Sequence, residues 1–485
     1  MTTGVSSNEM PIATRWTAIA LLYLTALMSV LDSAIVTVAI PTIQRDLGFS
    51  ETSVVWVINA YLLPYAGLLM LSGRIGDLFC HRRVFLSGVS TFTLGSLLCG
   101  LAGSAVALLA GRAAQGVGGA FMSTSAFGLV MTMFKDTDER TKVLGLFGCV
   151  NAGGQTFALI VGGLVSSTLG WHWLFLVNFP IGLLILIMSQ AYLPTNSCPH
   201  KDGKIDTGGA VTITVAVALA LFSIEAESDR HFLGFQTLAS AALAALFFLG
   251  FLFIESRADT PLIPPKLFRT RNFVVANLVS ALMSGSILAW DLICTQNMQL
   301  VLGYSQLRVA IAFIPSGIMT ALFSAAFATR RVSKVGYKTL LLWGLISIAA
   351  GLMWLACTPF DWSDVYGVFP AMLFIGFGSG IASTPLLLAA LAGVAKDEAG
   401  ISTGILTTSS LMGGMLGLAI AVHMAATTSE SLRASGRSVP LALSGGFHMA
   451  LLGSSLFVVV AAIACALFLH EADAMTQGRG DAGIS

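Results

Sequence analysis

Fourteen apolar runs, each eighteen residues or longer, follow one another along this chain, and nearly all charges fall in the breaks between them. A run of that length spans the roughly 30 Å hydrocarbon core of a bilayer as a helix. The runs centre on residues 16–40, 54–72, 84–103, 105–134, 143–169, 173–193, 207–224, 237–254, 273–302, 309–328, 339–357, 365–394, 401–426 and 447–469. Lipid cannot satisfy backbone amides, so an open chain crosses it only as helices, and barrel strands would be shorter and alternate in polarity. The expected fold class is an all-α integral membrane protein. Composition agrees: 56% of the residues are apolar, 10% are charged and the mean hydropathy is +0.85.

The first run is long enough to be kept as a span rather than cleaved as a signal. A net charge of +1 gives no reason to expect a nucleic-acid partner. The seven cysteines are scattered without a Cys-x-x-Cys pair, which argues against a disulfide framework or a zinc site and for apolar packing. An even number of spans places both termini on one side. Nineteen Lys and Arg lie on that side and five on the other, so the positive-inside rule makes the termini cytoplasmic.

Shifted by 259 residues, the chain matches itself at several points. Asp32 falls on Asp291, and Lys135-Asp136-Thr137-Asp138-Glu139 with Gly145 finds its image in Lys396-Asp397-Glu398 with Gly404. With a small gap, Gly116-Val117-Gly118 matches Gly376-Phe377-Gly378. The expected organisation is a cytoplasmic tail (1–15), a six-helix bundle (16–193), a linker with two accessory spans (194–272), a second six-helix bundle (273–470) and a cytoplasmic tail (471–485). Parallel duplication of this kind suits a transporter that rocks about a midplane site, though a structural scaffold would also permit it.

Charges inside the spans point to chemistry. Asp32 lies about 12 Å inside the outer end of span 1, and Arg112 about 10 Å inside span 4, nearly at one level. They are placed to pair across a cavity. Burial favours a neutral carboxyl and a neighbouring guanidinium favours the ionised one, so such an acid can load and release a proton as the cavity changes sides. A fixed structural ion pair is the competing reading. A carboxyl facing lipid, or sealed from every water-accessible hollow, cannot exchange protons, so coupling requires Asp32 to open on such a hollow. Asp291, after Trp290 in span 9, has no equivalent of Arg112, since the repeat puts Met372 there; beside an aromatic face it suits a cationic substrate or a plain cavity wall.

Gly73 to Arg83 fills the expected cytoplasmic turn between spans 2 and 3. Gly73 and Gly76 permit a tight turn, Asp77 can sit at the N-terminus of span 3, and Arg82 and Arg83 face the interface. This reads as gating apparatus. Small residues spaced by four, as in Gly376 with Gly380, Gly400 with Gly404 and Gly413 with Gly417, let helices approach closely. No histidine spacing suggests a metal, and no nucleophile, base and acid arrangement suggests an enzyme or a cofactor.

These motifs resemble the major facilitator superfamily, in particular its fourteen-span drug:proton antiporter branch. Leu31 to Pro41 looks like the branch's span-1 signature, and Trp56 with Tyr61-Leu62-Leu63 like its span-2 pattern. Gly73 to Arg83 is similar to the superfamily loop motif, with Cys80 where Gly is usual and His81 where Arg is usual. Gly111-Arg112-Ala113-Ala114-Gln115-Gly116 resembles the span-4 motif whose Arg is implicated in proton coupling. Span 5 keeps Gly162-Gly163 of the antiporter motif but has Ala158-Leu159 in place of its Gly-Pro, which removes a kink determinant. The resemblance implies two six-helix bundles around a central cavity and a monomeric, multi-pass carrier in a bacterial inner membrane. It implies export of amphipathic organic compounds such as drugs, antibiotics or toxic metabolites in exchange for protons. Cavity candidates are Asn59, Tyr61, Gln155, Trp290, Asp291, Gln296 and Asn297 beside Asp32 and Arg112. An importer or facilitator of a small metabolite, and a non-transporting scaffold, are the alternatives.

Overall fold

The computed structural model describes residues 12–133, 143, 158, 161–193, 207–226, 235–257, 267–324, 335–358, 365–394 and 399–471. The fold is all-helical. In chain order the elements are α1 (Ile12–Leu47), α2 (Trp56–Phe79), α3 (His81–Gly100), α4 (Ala105–Met133), α5 (161–169), α6 (His172–Leu176), α7 (Asn178–Tyr192), α8 (Thr207–Ala226) and α9 (Phe235–Arg257). There follow α10 (Arg271–Gln296), prolonged by a wide π turn (Asn297–Val301), α11 (Gln306–Phe323), α12 (Tyr337–Cys357), α13 (Val365–Leu391), α14 (Ala399–Ala434) and α15 (Val439–Phe468).

Among the described residues, eleven helices are long and apolar enough to cross a membrane, and two shorter apolar helices cover Ser53–Leu69 and Val211–Ile224. These thirteen fall on the expected runs. The fifth run, 143–169, lies mostly outside the described residues, with 161–169 as its helical end. Large apolar side chains point outward, for example Leu246, Leu249 and Phe253 of α9 and Trp343 and Ile346 of α12. In water such a surface would be costly, whereas hydrocarbon is its natural surrounding.

Helix contacts repeat between the halves. In the first, α4 packs on α2 and α3, and α7 packs on α1 and α3. In the second, α13 packs on α11 and α12, and α15 packs on α10 and α12. Spans that correspond under the 259-residue shift therefore take corresponding neighbours. The halves meet where α2 packs on α14 and where α1 meets α10 and α11. The α8–α9 pair flanks that seam, since α8 touches both α2 and α14.

Glycines set several of these approaches. A Cβ on Gly285 would come within 2.8 Å of the Gly413 carbonyl, so α10 and α14 touch backbone to backbone. Gly376 and Gly380 face the α11 backbone in the same way. Gly404 does not: nothing lies within 4 Å of the place its Cβ would take, so its spacing carries no packing there.

The expected turn between spans 2 and 3 is shorter than its motif. Helix α2 continues through Gly73 and Asp77 to Phe79, and α3 starts at His81, so the reversal rests on Cys80 alone. Two glycines do not make a turn when the neighbouring helix ends can extend and save backbone hydrogen bonds. Cys80 is the one described non-glycine residue with positive φ, at 79°. That conformation suits glycine, the usual residue there in the resemblance drawn above. Cys80 is also disulfide-bonded, so the expectation that every cysteine is apolar filler holds for buried Cys99, Cys294 and Cys465 but not for it.

Candidate proton-coupling and substrate sites

Asp32 of α1 and Arg112 of α4 are in direct contact, with Arg112 Nη1 donating to Asp32 Oδ2 at 2.5 Å. Both residues are about 1% exposed. Their partners come from four further elements. Gln115, one turn beyond Arg112 on the same face of α4, donates from Nε2 to Asp32 Oδ1 at 2.7 Å and accepts from Arg112 Nη1 at 2.8 Å. Asn178, at the start of α7, donates to Asp32 Oδ1 at 3.1 Å. Arg112 Nε donates to the Val57 carbonyl of α2 at 2.9 Å, and Gln115 Nε2 donates to Ser96 Oγ of α3 at 2.7 Å. The Tyr61 ring covers the guanidinium at 4.5 Å and Phe175 lies at 5.8 Å.

The carboxylate thus accepts three hydrogen bonds, and the guanidinium is held by an acid, an amide, a carbonyl and two aromatic faces. Such completeness is what burying two charges demands. Sequence reasoning placed the pair at one level but set it across a cavity, and the structure closes it inside the first half. Asp32 lines neither of the two hollows between the halves. Proton exchange at Asp32 therefore needs an arrangement of the helices other than this one. Gln115, Ser96 and Asn178 were missed as partners. Gln115 had a visible signal in its i+3 spacing from Arg112, and Asn178 in being an amide amid the apolar residues that open its run.

Among the described residues, the second half shows no counterpart network. Asp291 is 8% exposed, and no described residue forms an ion pair with it. Met372 and Ile375 of α13, near the positions of Arg112 and Gln115 in the repeat, are fully buried and apolar. Trp290 packs on Phe313 at 5.2 Å, and Asn297, fully buried in the π turn, has neither amide atom satisfied. Gln296 lines a hollow at the end of the bundle opposite the termini, the distal end. Asn59 stands apart from these on α2, where it faces α8 and α14 across a small seam hollow with its amide unsatisfied. Gln155 lies outside the described residues. Tyr61 packs inside the first half against Arg112, Tyr65 and Phe92.

Of the gating motif, Arg82 donates to the Gln190 carbonyl near the end of α7 at 2.8 Å, a cation at a helix C-terminus. Arg83 is exposed, and Gly73 and Asp77 lie in the last two turns of α2. His81 fits because Gly76 and Gly128 lack side chains: a Cβ on either would overlap its ring. The span-5 pair faces two ways. A Cβ on Gly162 would meet Ile35 of α1 at 2.8 Å, and one on Gly163 would meet Ala310 and the Gln306 carbonyl of α11 at 2.9 Å, across the seam.

The halves are also joined by polar contacts at the distal end. Gln299 donates to the Val38 carbonyl at 2.9 Å, Gln306 donates to Thr42 at 2.7 Å, and Arg433 pairs with Glu51 at 3.0 Å.

A duplicated bundle of lipid-facing helices with a sealed ion-pair network in one half suits a membrane transporter. Residues 22–418 match the model of the Major Facilitator Superfamily, and the chain belongs to that family. It is 31% identical over 472 residues to the puromycin resistance protein pur8 of Streptomyces alboniger, covering 97% of this chain and 93% of that protein. It is 32% identical over 457 residues to the cephamycin export protein CmcT of Amycolatopsis lactamdurans, covering 93% and 92%. In fold it is similar to a bacterial homologue of the human lysosomal transporter Spinster, with a TM-score of 0.66 at 16% identity, covering 95% of this chain and 98% of that one.

Proposed function

We propose that this transporter exports amphipathic organic compounds in exchange for protons, with Asp32 as the proton-carrying group and Arg112 as its counter-charge. The likeness to a puromycin resistance protein and a cephamycin export protein supports the direction and the cargo class. The observation that carries the coupling is the Asp32 network. Three donors from α4 and α7 converge on one carboxylate, and protonating it leaves Arg112 buried with a weakened partner. A buried charge that loses its partner costs several kcal/mol, about 3–5 in comparable cases, so protonation favours another helix arrangement. Differential stability of this kind is what couples a proton to a change of access.

Two six-helix halves (16–193 and 273–470) then rock about the seam, with α8 and α9 beside it. The termini are cytoplasmic, the membrane is the bacterial inner membrane, and a monomer suffices. In vesicles with an imposed pH gradient, Asp32→Asn is expected to abolish coupled efflux of a drug substrate while folded protein stays in the membrane. Unchanged coupling removes Asp32 from the mechanism.

A further inference from the structure

A hollow of about 360 Å³ opens at the distal end between the two halves. Arg45, Phe49 and Glu51 line it from the end of α1 and the segment that follows, and Gln296, Ser429 and Phe447 line it from α10, α14 and α15. That volume lies in the range of small-molecule sites, which are mainly apolar with a few placed polar groups. Its charges do not cancel locally. Glu51 is already neutralised by Arg433 at 3.0 Å, whereas Arg45 has no carboxylate partner among the described residues. Gln296, only 7% exposed, adds an amide to the lining. Its walls come from both halves, so an occupant binds differently in the two arrangements of a rocking carrier.

We propose that this distal vestibule binds an amphipathic organic anion, its acidic group toward Arg45 and its apolar body against Phe49 and Phe447. The site rests on the transporter reading and not on proton coupling at Asp32. It gives the exporter a last station for acidic cargo before release.

Equilibrium binding of carboxyfluorescein to the full chain in lipid nanodiscs, read by fluorescence polarisation, tests this, with cationic rhodamine 123 as the contrast. Arg45→Gln is expected to weaken carboxyfluorescein binding roughly five- to tenfold, and Arg45→Lys to keep most of it. Ala426→Trp, which fills the hollow, should remove it. Rhodamine 123 affinity should stay level or rise in Arg45→Gln. The proposal is overturned by absence of saturable carboxyfluorescein binding, by unchanged affinity in Ala426→Trp, or by equal weakening of both dyes in Arg45→Gln. No proton gradient enters this measurement. Loss of coupled efflux in vesicles with intact dye binding therefore defeats the proton mechanism alone, and the reverse result defeats the vestibule alone.

Discussion

At the residue scale, the Asp32 network makes each member's contribution separable. Arg112→Leu strands a fully buried carboxylate with only two amide donors, while Asp32→Asn with Arg112→Leu removes both charges at once. Breaking one side of a buried pair costs about 3–5 kcal/mol, whereas replacing both partners is often close to neutral. Thermal unfolding in detergent should therefore show Arg112→Leu well below the parent and the double variant recovering much of the loss. If the double variant unfolds no later than Arg112→Leu, the pair is not the unit described here. Asn178→Leu leaves the ion pair and removes one donor, a loss of about 1.5–3 kcal/mol for a hydrogen bond to a charged group. Its expected signature is a shifted pH profile of efflux with transport retained, and a merely structural residue would lower the maximum without moving the profile.

At the scale of the helix, the two span-5 glycines separate packing within a half from packing between halves. Gly162 meets Ile35 of its own half, and Gly163 meets α11 of the other. Gly163→Val should force α5 and α11 apart at the distal end and bias the carrier toward opening there, while Gly285→Val, at the α10–α14 contact inside one half, should simply destabilise the fold. Distance measurements between spin labels across the distal seam distinguish the two, and an unaltered distance in Gly163→Val refutes the seam role. Helices and their order were legible in the sequence because hydropathy in lipid is a one-dimensional property. A repeat was legible too, since Asp32 and Asp291 share a position and corresponding spans take corresponding neighbours. What escaped was which face of a span meets which neighbour. Tyr61 and Asn59 lie half a turn apart on α2, one over Arg112 and the other facing α8 and α14. Polarity alone assigned both to one cavity, because every face of these helices is apolar enough to meet either lipid or protein.

At the scale of the whole molecule, sealing Asp32 and closing the distal end belong to one arrangement. The Gln306–Thr42, Gln299–Val38 and Arg433–Glu51 contacts all join the halves far from the termini. Individually they are weak, and an exposed pair such as Arg433–Glu51 contributes at most about 1 kcal/mol. Weak contacts suit a seam that must part in each cycle, since a carrier with one deep minimum would stall there. If the halves rock, a bond placed across this seam should trap the closed form. Thr42→Cys with Gln306→Cys sets one thiol on each side of the seam that a 2.7 Å hydrogen bond now bridges. Oxidation should stop efflux and reduction should restore it; in a separate labelling assay that needs no turnover, a maleimide should reach an Asp32→Cys probe in the reduced protein, whose halves can part, but not in the oxidised one. Efflux that continues undiminished through the cross-linked state would mean that the distal seam does not open. A probe at position 32 that stays unreactive under every condition would mean that no arrangement brings water to that carboxyl, and proton transfer would have to be sought at Asp291, which forms no ion pair among the described residues.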